Sequence, residues 1–442
     1  MSKLLHGLKR TAQVLGLGGV VLLGAGTVWY QQHYVLPPEP KIEVKLPSPN
    51  GYDTLWEACN LEVGKKDGTV TSPSNNRDAD QLLPGRLALL EANKPSIEQL
   101  REALKQDYLI PASQSPDKEF PRWAKAREEA RMLAFASRTY ADTGNLPEAA
   151  RCALDTIELG ATVPRGGVLI TGLVGVACEA IGMKALGDLA DKLDAPTARM
   201  AARRLAEIDR KRPIFGDILR QENQYSRTIT RTMFSHGPLG AWKASESLFS
   251  SPEIEQVQMS QDRDSEITLK DRLAQFWFQA QVAYYGPKTA LEGNERYMTE
   301  LVVLSEKPWS HPRATPTVPS DPLSQLLTPV FSQAEFKWVS VRASNALLQT
   351  RLALSAYRQE KGSYPESLDA LVSEGYLDAV PSDPFSPTRA APGYKPDGEK
   401  FTLWSVGPDA KDDGGKPVEM EGKRGFVDAS KPGDFVDGVN TY

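Results

Sequence analysis

Residues able to do chemistry are few in this 442-residue chain, and the densest group is Asp409-Ala410-Lys411-Asp412-Asp413-Gly414-Gly415-Lys416. Three aspartates among free backbone carbonyls offer hard oxygens, the donors that calcium takes in sets of about 6–8. Two readings are open, a cation site or a solvated acidic turn. Lys411 stands where an EF-hand loop needs its second oxygen, which removes that motif. Gly414-Gly415-Lys416 runs into Pro417 and lacks the spacing of a phosphate loop.

The usual raw material of catalysis is scarce. There are 4 His and 3 Cys. His6 and His33 flank an apolar stretch, and His236 and His311 lie in Gly/Pro contexts. Cys59, Cys152 and Cys178 have no metal-type spacing and read as small apolar core residues, with one disulfide and one free thiol as the alternative in an oxidising compartment. No Gly-x-Ser-x-Gly elbow, His-Glu-x-x-His helix or Walker loop occurs. A carboxylate pair of the glycosidase kind stays open. The leading expectation is a protein that is not an enzyme.

Composition bounds the elements that must position these residues. Hydrophobic residues make up 40% and charged residues 25%, an ordinary globular mixture, while 33 Pro and 34 Gly demand irregular stretches. A net charge of −5 argues against nucleic acid as a partner.

Residues 11–30 (TAQVLGLGGVVLLGAGTVWY) carry no charge. At 1.5 Å per residue they span about 30 Å, the thickness of a bilayer's hydrocarbon core. Lys3, Lys9 and Arg10 precede them, and no Lys or Arg follows before Lys41. The positive-inside rule then keeps residues 1–10 cytoplasmic and puts the rest outside, in contact with lipid through this helix. Trp29 and Tyr30 sit where aromatic anchors meet headgroups. A cleaved signal peptide ending at Gly24-Ala25-Gly26 is the competing reading.

Residues 31–50 read as a Pro-rich spacer and 51–307 as an all-α domain. Ser96 is expected to cap a helix beginning at Ile97. The clearest hairpin runs from Pro121 to Gly160, turning at Thr143-Gly144-Asn145. Tyr140, Gly144 and Ala149 resemble one helix pair of a tetratricopeptide repeat. Helical patterns continue over Val168–Met183, Ala185–Lys211 and Thr268–Tyr285, with Phe276-Trp277-Phe278 expected in the core and a docking patch as the alternative. A second Pro-rich connector covers 308–322.

Residues 323–442 have another character. Ala343, Leu347, Thr350, Leu354 and Tyr357 form one stripe of a long helix that Gly362 stops. A short helix follows with Leu368, Leu371 and Val372 inward. Asp397-Gly398 then signals a hairpin into the alternating strand Phe401–Val406, and Phe426-Val427 is a candidate last strand. The fold class is therefore mainly α with a C-terminal α+β module. After residue 362 there are eight Lys and Arg against fifteen Asp and Glu.

In that module the order Gly362-Ser363-Tyr364-Pro365, Leu371-Val372, Gly375-Tyr376-Leu377, Asp383-Pro384-Phe385, Tyr394 and Leu403-Trp404-Ser405-Val406-Gly407-Pro408-Asp409 resembles the globular head of type II secretion major pseudopilins. The resemblance covers about residues 340–415. It implies a calcium site after the strand, with Asp409 and the Val406 carbonyl as ligands and Asp412 or Asp413 supplying the next oxygen. Asp428, Asp434 and Asp437 are candidates to fold back onto it. Pseudopilins carry a Gly-Phe cleavage point and a Glu five residues on; here Leu8 follows Gly7 and Ala12 takes the Glu position. The expectation is thus a pilin-like head presented on a helical platform rather than a filament subunit.

Together these readings describe a single-pass protein of the bacterial inner membrane, its bulk extracytoplasmic, with a structural or protein-binding role beside secretion or pilus-like machinery. A helical envelope scaffold unrelated to secretion and an extracytoplasmic hydrolase using carboxylates are the alternatives.

Overall fold

The computed structural model describes residues 25–39, 44–61, 83–111, 116–249, 269–419 and 431–441. The chain is mainly helical, with one small antiparallel sheet near the C-terminus. The described helices are α1 (25–34), α2 (Gly51–Asn60), α3 (Leu83–Lys105), α4 (Pro116–Asp142), α5 (Leu146–Thr162), α6 (Leu169–Gly187) and α7 (Ala195–Lys211). There follow α8 (Phe215–Met233), α9 (Gly237–Phe249), α10 (Leu269–Glu306, broken at Gly286), α11 (Pro322–Lys361) and α12 (Asp369–Ser373). The sheet holds β1 (Gly393–Asp397), β2 (Lys400–Ser405) and β3 (Phe435–Val436) in that order.

The described residues form two compact units. One comprises those of 1–42, 223–300 and 317–329; the other those of 43–222, 301–316 and 330–442. Residues 11–24 of the expected membrane span lie outside the described residues, and 25–30 are helical.

In the larger unit, α2–α7 build an antiparallel helical array. Gly144, at φ 80°, makes the left-handed turn between α4 and α5, and the Asn145 side chain caps α5 by accepting from the Glu148 N–H at 3.3 Å. α5 and α6 cross closely. A Cβ on Gly160 would lie 2.6 Å from the Gly175 carbonyl oxygen, so only glycine permits that approach. Among the described residues α6 alone is long and apolar enough to cross a membrane, yet over half of that stretch is buried. It serves as a core helix here.

The same unit carries the C-terminal module, and the two share one core. Ala153, Leu186 and Leu205 of the helical array belong to the same apolar cluster as Leu347, Leu354, Phe385, Leu403 and Phe435. Trp309, from the expected connector 308–322, is buried in it. Its ring packs edge-on against Phe385 at 5.1 Å, and its Nε1 donates to the Pro408 carbonyl at 2.8 Å. Trp309 thus joins the core, although its Pro-rich neighbours read as linker.

Several local expectations are corrected. Ser96 does not cap a helix; α3 begins at Leu83 and runs through Pro95. The Ser96 hydroxyl instead contacts the Ala58 carbonyl and the Glu129 carboxylate. Ala185–Lys211 is two helices, because Asp194 caps a new N-terminus, accepting from the Thr197 N–H at 2.9 Å with Pro196 in the first turn. Val372 faces solvent while Leu368 and Leu371 are buried. Phe276 and Trp277 are exposed, and only Phe278 turns inward. Cys59, Cys152 and Cys178 are buried free thiols, in keeping with their reading as small core residues. The third strand is Phe435–Val436; Phe426 and Val427 lie outside the described residues.

Candidate functional site

The acidic turn hangs from the end of β2. Gly398, at φ 59°, closes the β1–β2 hairpin, which pairs Asp397 with Lys400 and Gly393 with Trp404. β2 pairs next with β3, Ser405 opposite Phe435. The chain before β3 returns directly beneath the turn: the Asp434 N–H donates to the Lys416 carbonyl at 2.8 Å, and the Val418 N–H donates to the Asp434 carbonyl at 3.0 Å. At Gly407, φ is 67° and a Cβ would sit 2.1 Å from the Gly433 carbonyl oxygen. No other residue fits that crossing.

This layering brings five aspartates to one end of the sheet, each bonded to local groups. Asp409 is buried, and its Oδ1 accepts from the Lys411 N–H at 3.2 Å. Asp412 Oδ1 accepts from Trp404 Nε1 at 2.8 Å and from the Gly414 N–H at 2.9 Å. Asp413 gives its own N–H to Asp434 Oδ1 at 3.3 Å, and Gly415 gives its N–H to Asp434 Oδ2 at 2.7 Å. Asp383 holds the start of the turn: Oδ1 accepts from the Ser405 hydroxyl at 2.7 Å and the Phe385 N–H at 2.9 Å, and Oδ2 from the Val406 N–H at 2.8 Å.

Burial shifts two of these carboxyls, Asp434 and Asp383. Burial pushes the Asp434 carboxyl up to about 6, with the Asp412 and Asp413 charges adding to the rise against the Gly415 and Asp413 N–H bonds. Burial also raises Asp383 above the usual carboxylate range, opposed by its three hydrogen bonds.

Of the expected ligands, Val406, Asp409, Asp412 and Asp413 do lie together on one turn, and Asp434 folds back to it. Asp437 does not; it faces Arg351 at 3.6 Å. Asp428 lies outside the described residues. Asp383 enters the sequence reading only within the Asp-Pro-Phe motif, yet it anchors the strand end. Its signal is an Asp before Pro, which favours a side chain turned back onto the backbone two residues on. As a calcium site the fit is partial. The oxygens already turned inward accept backbone N–H groups, and among the described residues no three His, Cys, Asp or Glu side chains are drawn together as a metal centre.

A second polar constellation escaped the sequence entirely. Glu179 on α6 and Arg212 after α7 form an ion pair in the core, with side chains 0% and 2% exposed. Arg212 Nε also reaches Asp209 Oδ1 at 3.2 Å, and Arg342 of α11 reaches Asp209 Oδ2 at 3.5 Å. Burial raises the Glu179 carboxyl while Arg212 pulls it down. Asp209, Arg342 and Asn345 also line a pocket of about 260 Å³. These carboxylates are each held by a guanidinium, an arrangement that ties helices together.

No protein-family model matches the chain, and no curated protein and no solved structure is detectably similar to it.

Proposed function

We propose that this chain is a membrane-anchored, extracytoplasmic scaffold protein of the bacterial envelope that presents its pseudopilin-like C-terminal module for protein binding. One observation carries the reading. The module shares a continuous apolar core with the helical array, from Ala149 to Phe435, so it is held rigidly on a platform instead of swinging on a linker. The uncharged stretch 11–30, with Lys and Arg only on its N-terminal side, supports the anchor. The resemblance of residues 340–415 to major pseudopilins directs the partner search to secretion or pilus-like machinery. The test is affinity purification of the full chain from solubilised envelopes. Recovery of secretion-system components supports this reading; a chain that purifies without them supports a helical scaffold unrelated to secretion.

A second reading, calcium at the acidic turn, is favoured by Asp434. Its buried carboxyl lies beside the Asp412 and Asp413 charges, a concentration of negative charge that a divalent cation would offset. Val406, Asp409, Asp412 and Asp413 would hold the ion. At 100-fold excess over Kd a bound ion adds about 2.7 kcal/mol. Melting of the full chain with calcium or chelator, beside Asp409→Ala, tests it. A rise of several degrees that the substitution abolishes supports the site, and an unchanged melting curve removes it.

A further inference from the structure

The smaller unit exposes an apolar face that its own core does not need. In α10, residues 273–286 carry no charge. At about 100° per residue, the buried and half-buried positions Gln275, Phe278, Gln279 and Val282 fall on one side of the helix. Leu273, Phe276, Trp277 and Tyr284 fall on the opposite side, within an arc of about 100°. That second side is open: Trp277 is 63% and Tyr284 62% exposed. Leu239, in the equally uncharged stretch 232–242, is 81% exposed. A soluble helix with one side buried normally shows charge on the other. This one shows Trp, Phe, Tyr and Leu.

The end of the proposed membrane span is docked against this same helix. The Tyr34 hydroxyl donates to the Ala283 carbonyl, and Tyr34 is buried with Phe234, Ala241 and Val282. The Trp29 ring lies 6.2 Å from the Tyr284 ring. Gly286, at φ 68°, lets the chain pass: a Cβ there would sit 2.8 Å from the His33 carbonyl oxygen. Trp29 belongs to the last residues of the uncharged span, at the level where aromatic side chains meet headgroups. Tyr284 is therefore at that level too.

We infer that the Leu273–Tyr284 face of α10 lies in the headgroup–acyl boundary of the bilayer that holds residues 11–30. A helix with aromatic and aliphatic residues on one side, lying in the interface plane, is a known way to bind that boundary. The inference rests on the anchor proposed above. Lipid is the occupant of this face because the anchor's own exit point adjoins it and aromatic residues dominate it. Such seating makes the smaller unit a foot on the membrane.

Spin labels test this on the full chain in lipid nanodiscs, placed singly by Trp277→Cys, Tyr284→Cys, Leu22→Cys in the span and Lys411→Cys in the exposed acidic turn. The native cysteines are buried. Broadening by a water-soluble nickel chelate is expected at 411 and lost at 277, 284 and 22, with oxygen relaxing the last three. Broadening at 277 and 284 with 22 protected would place the face in water and overturn the inference while leaving the anchor intact. Protection at 277 and 284 from both nickel chelate and oxygen, with label–label dipolar broadening that disappears when labelled chain is diluted with unlabelled chain, would assign the face to a second copy, again overturning it. Broadening at 22 would remove the anchor, and this inference with it.

Discussion

Replacing Arg212 with alanine should strand Glu179 in the core of the larger unit. Glu179 is fully buried, and its Oε1 depends on the Arg212 guanidinium. Removing one partner of a buried ion pair typically costs about 3–5 kcal/mol, because the remaining charge has neither water nor counter-ion. At about 2.1 cal/mol/K of unfolding entropy per residue, a unit of roughly 300 residues shifts by about 1.5 °C per kcal/mol, so Arg212→Ala should melt about 5–8 °C lower near pH 8. The sign of the pH dependence follows from the carboxyl. Burial already lifts it above the ordinary glutamate value, and losing Arg212 removes the main force pulling it down. A group raised in the folded state is penalised above its folded pKa, and the penalty fades as the pH falls toward its unfolded value. The deficit of Arg212→Ala should therefore shrink between pH 8 and pH 5.

The assay is tryptophan-fluorescence melting of the full chain at pH 5, 6.5 and 8, with Glu179→Leu/Arg212→Met as a companion. The pair is imperfect, since Glu179 Oε2 and Arg212 Nη2 find no hydrogen-bond partner among the described residues. The apolar double variant should consequently match or exceed the parent, as replaced buried pairs often do. A loss under about 1 kcal/mol for Arg212→Ala, equal at all three pH values, would refute the reasoning. It would mean that Glu179 is solvated and that α6 is not the core helix described here.

Three further outcomes are expected. Gly286→Ala meets both a left-handed φ and the His33 carbonyl at 2.8 Å, so it should loosen α1 from α10, read as faster proteolysis near residue 286. Trp309→Phe keeps the ring contacts with Phe385 and Phe336 but strips the Pro408 carbonyl of its donor, and should cost about 1–3 kcal/mol in denaturant melts. Asp434, whose folded carboxyl sits near 6 against an ordinary 3.8, stabilises the fold fully only below the unfolded value and loses that contribution as pH rises through about 6. At about 1.4 kcal/mol per pKa unit the swing is at most about 3 kcal/mol, and Asp434→Asn should flatten the melting profile between pH 4 and 7.

Much of the secondary structure was legible because it depends on local pattern. The stripe through Leu347 and Leu354 gave the long helix, and Gly144, Gly362 and Gly398 marked turns that their positive φ values require. Where local pattern and tertiary context disagreed, context won. Ser96 has the chemistry of a cap, but its hydroxyl is used across helices, on Ala58 and Glu129. Asp194-Ala195-Pro196 is a helix start hidden in a run that is helical on both sides. Phe276-Trp277 read as core because aromatic residues usually are, and no periodicity can say which of two uncharged sides is covered. At the acidic turn the residue cluster was legible but its hydrogen bonding was not. Asp383 and Asp434 enter from 26 and 25 positions either side of Asp409, a convergence created by Gly407 passing against Gly433.

These misses share a physical origin that bears on how the molecule works. The C-terminal module could not bury its own surface alone, since Leu347, Leu354 and Phe385 belong to a cluster completed by Ala153, Leu186 and Leu205. A hinge between them would expose that cluster, at roughly 25 cal/mol for each Å² of apolar surface returned to water. Excising residues 323–442 would open the same face, so ligand and partner tests belong on the full chain. The Pro-rich segment through Trp309 reinforces the point, because the tryptophan bridges the module's Phe385 and Pro408 from a stretch whose composition resembles a flexible tether. The module's surface is therefore fixed on the helical array, and a load applied there passes directly into α5–α7.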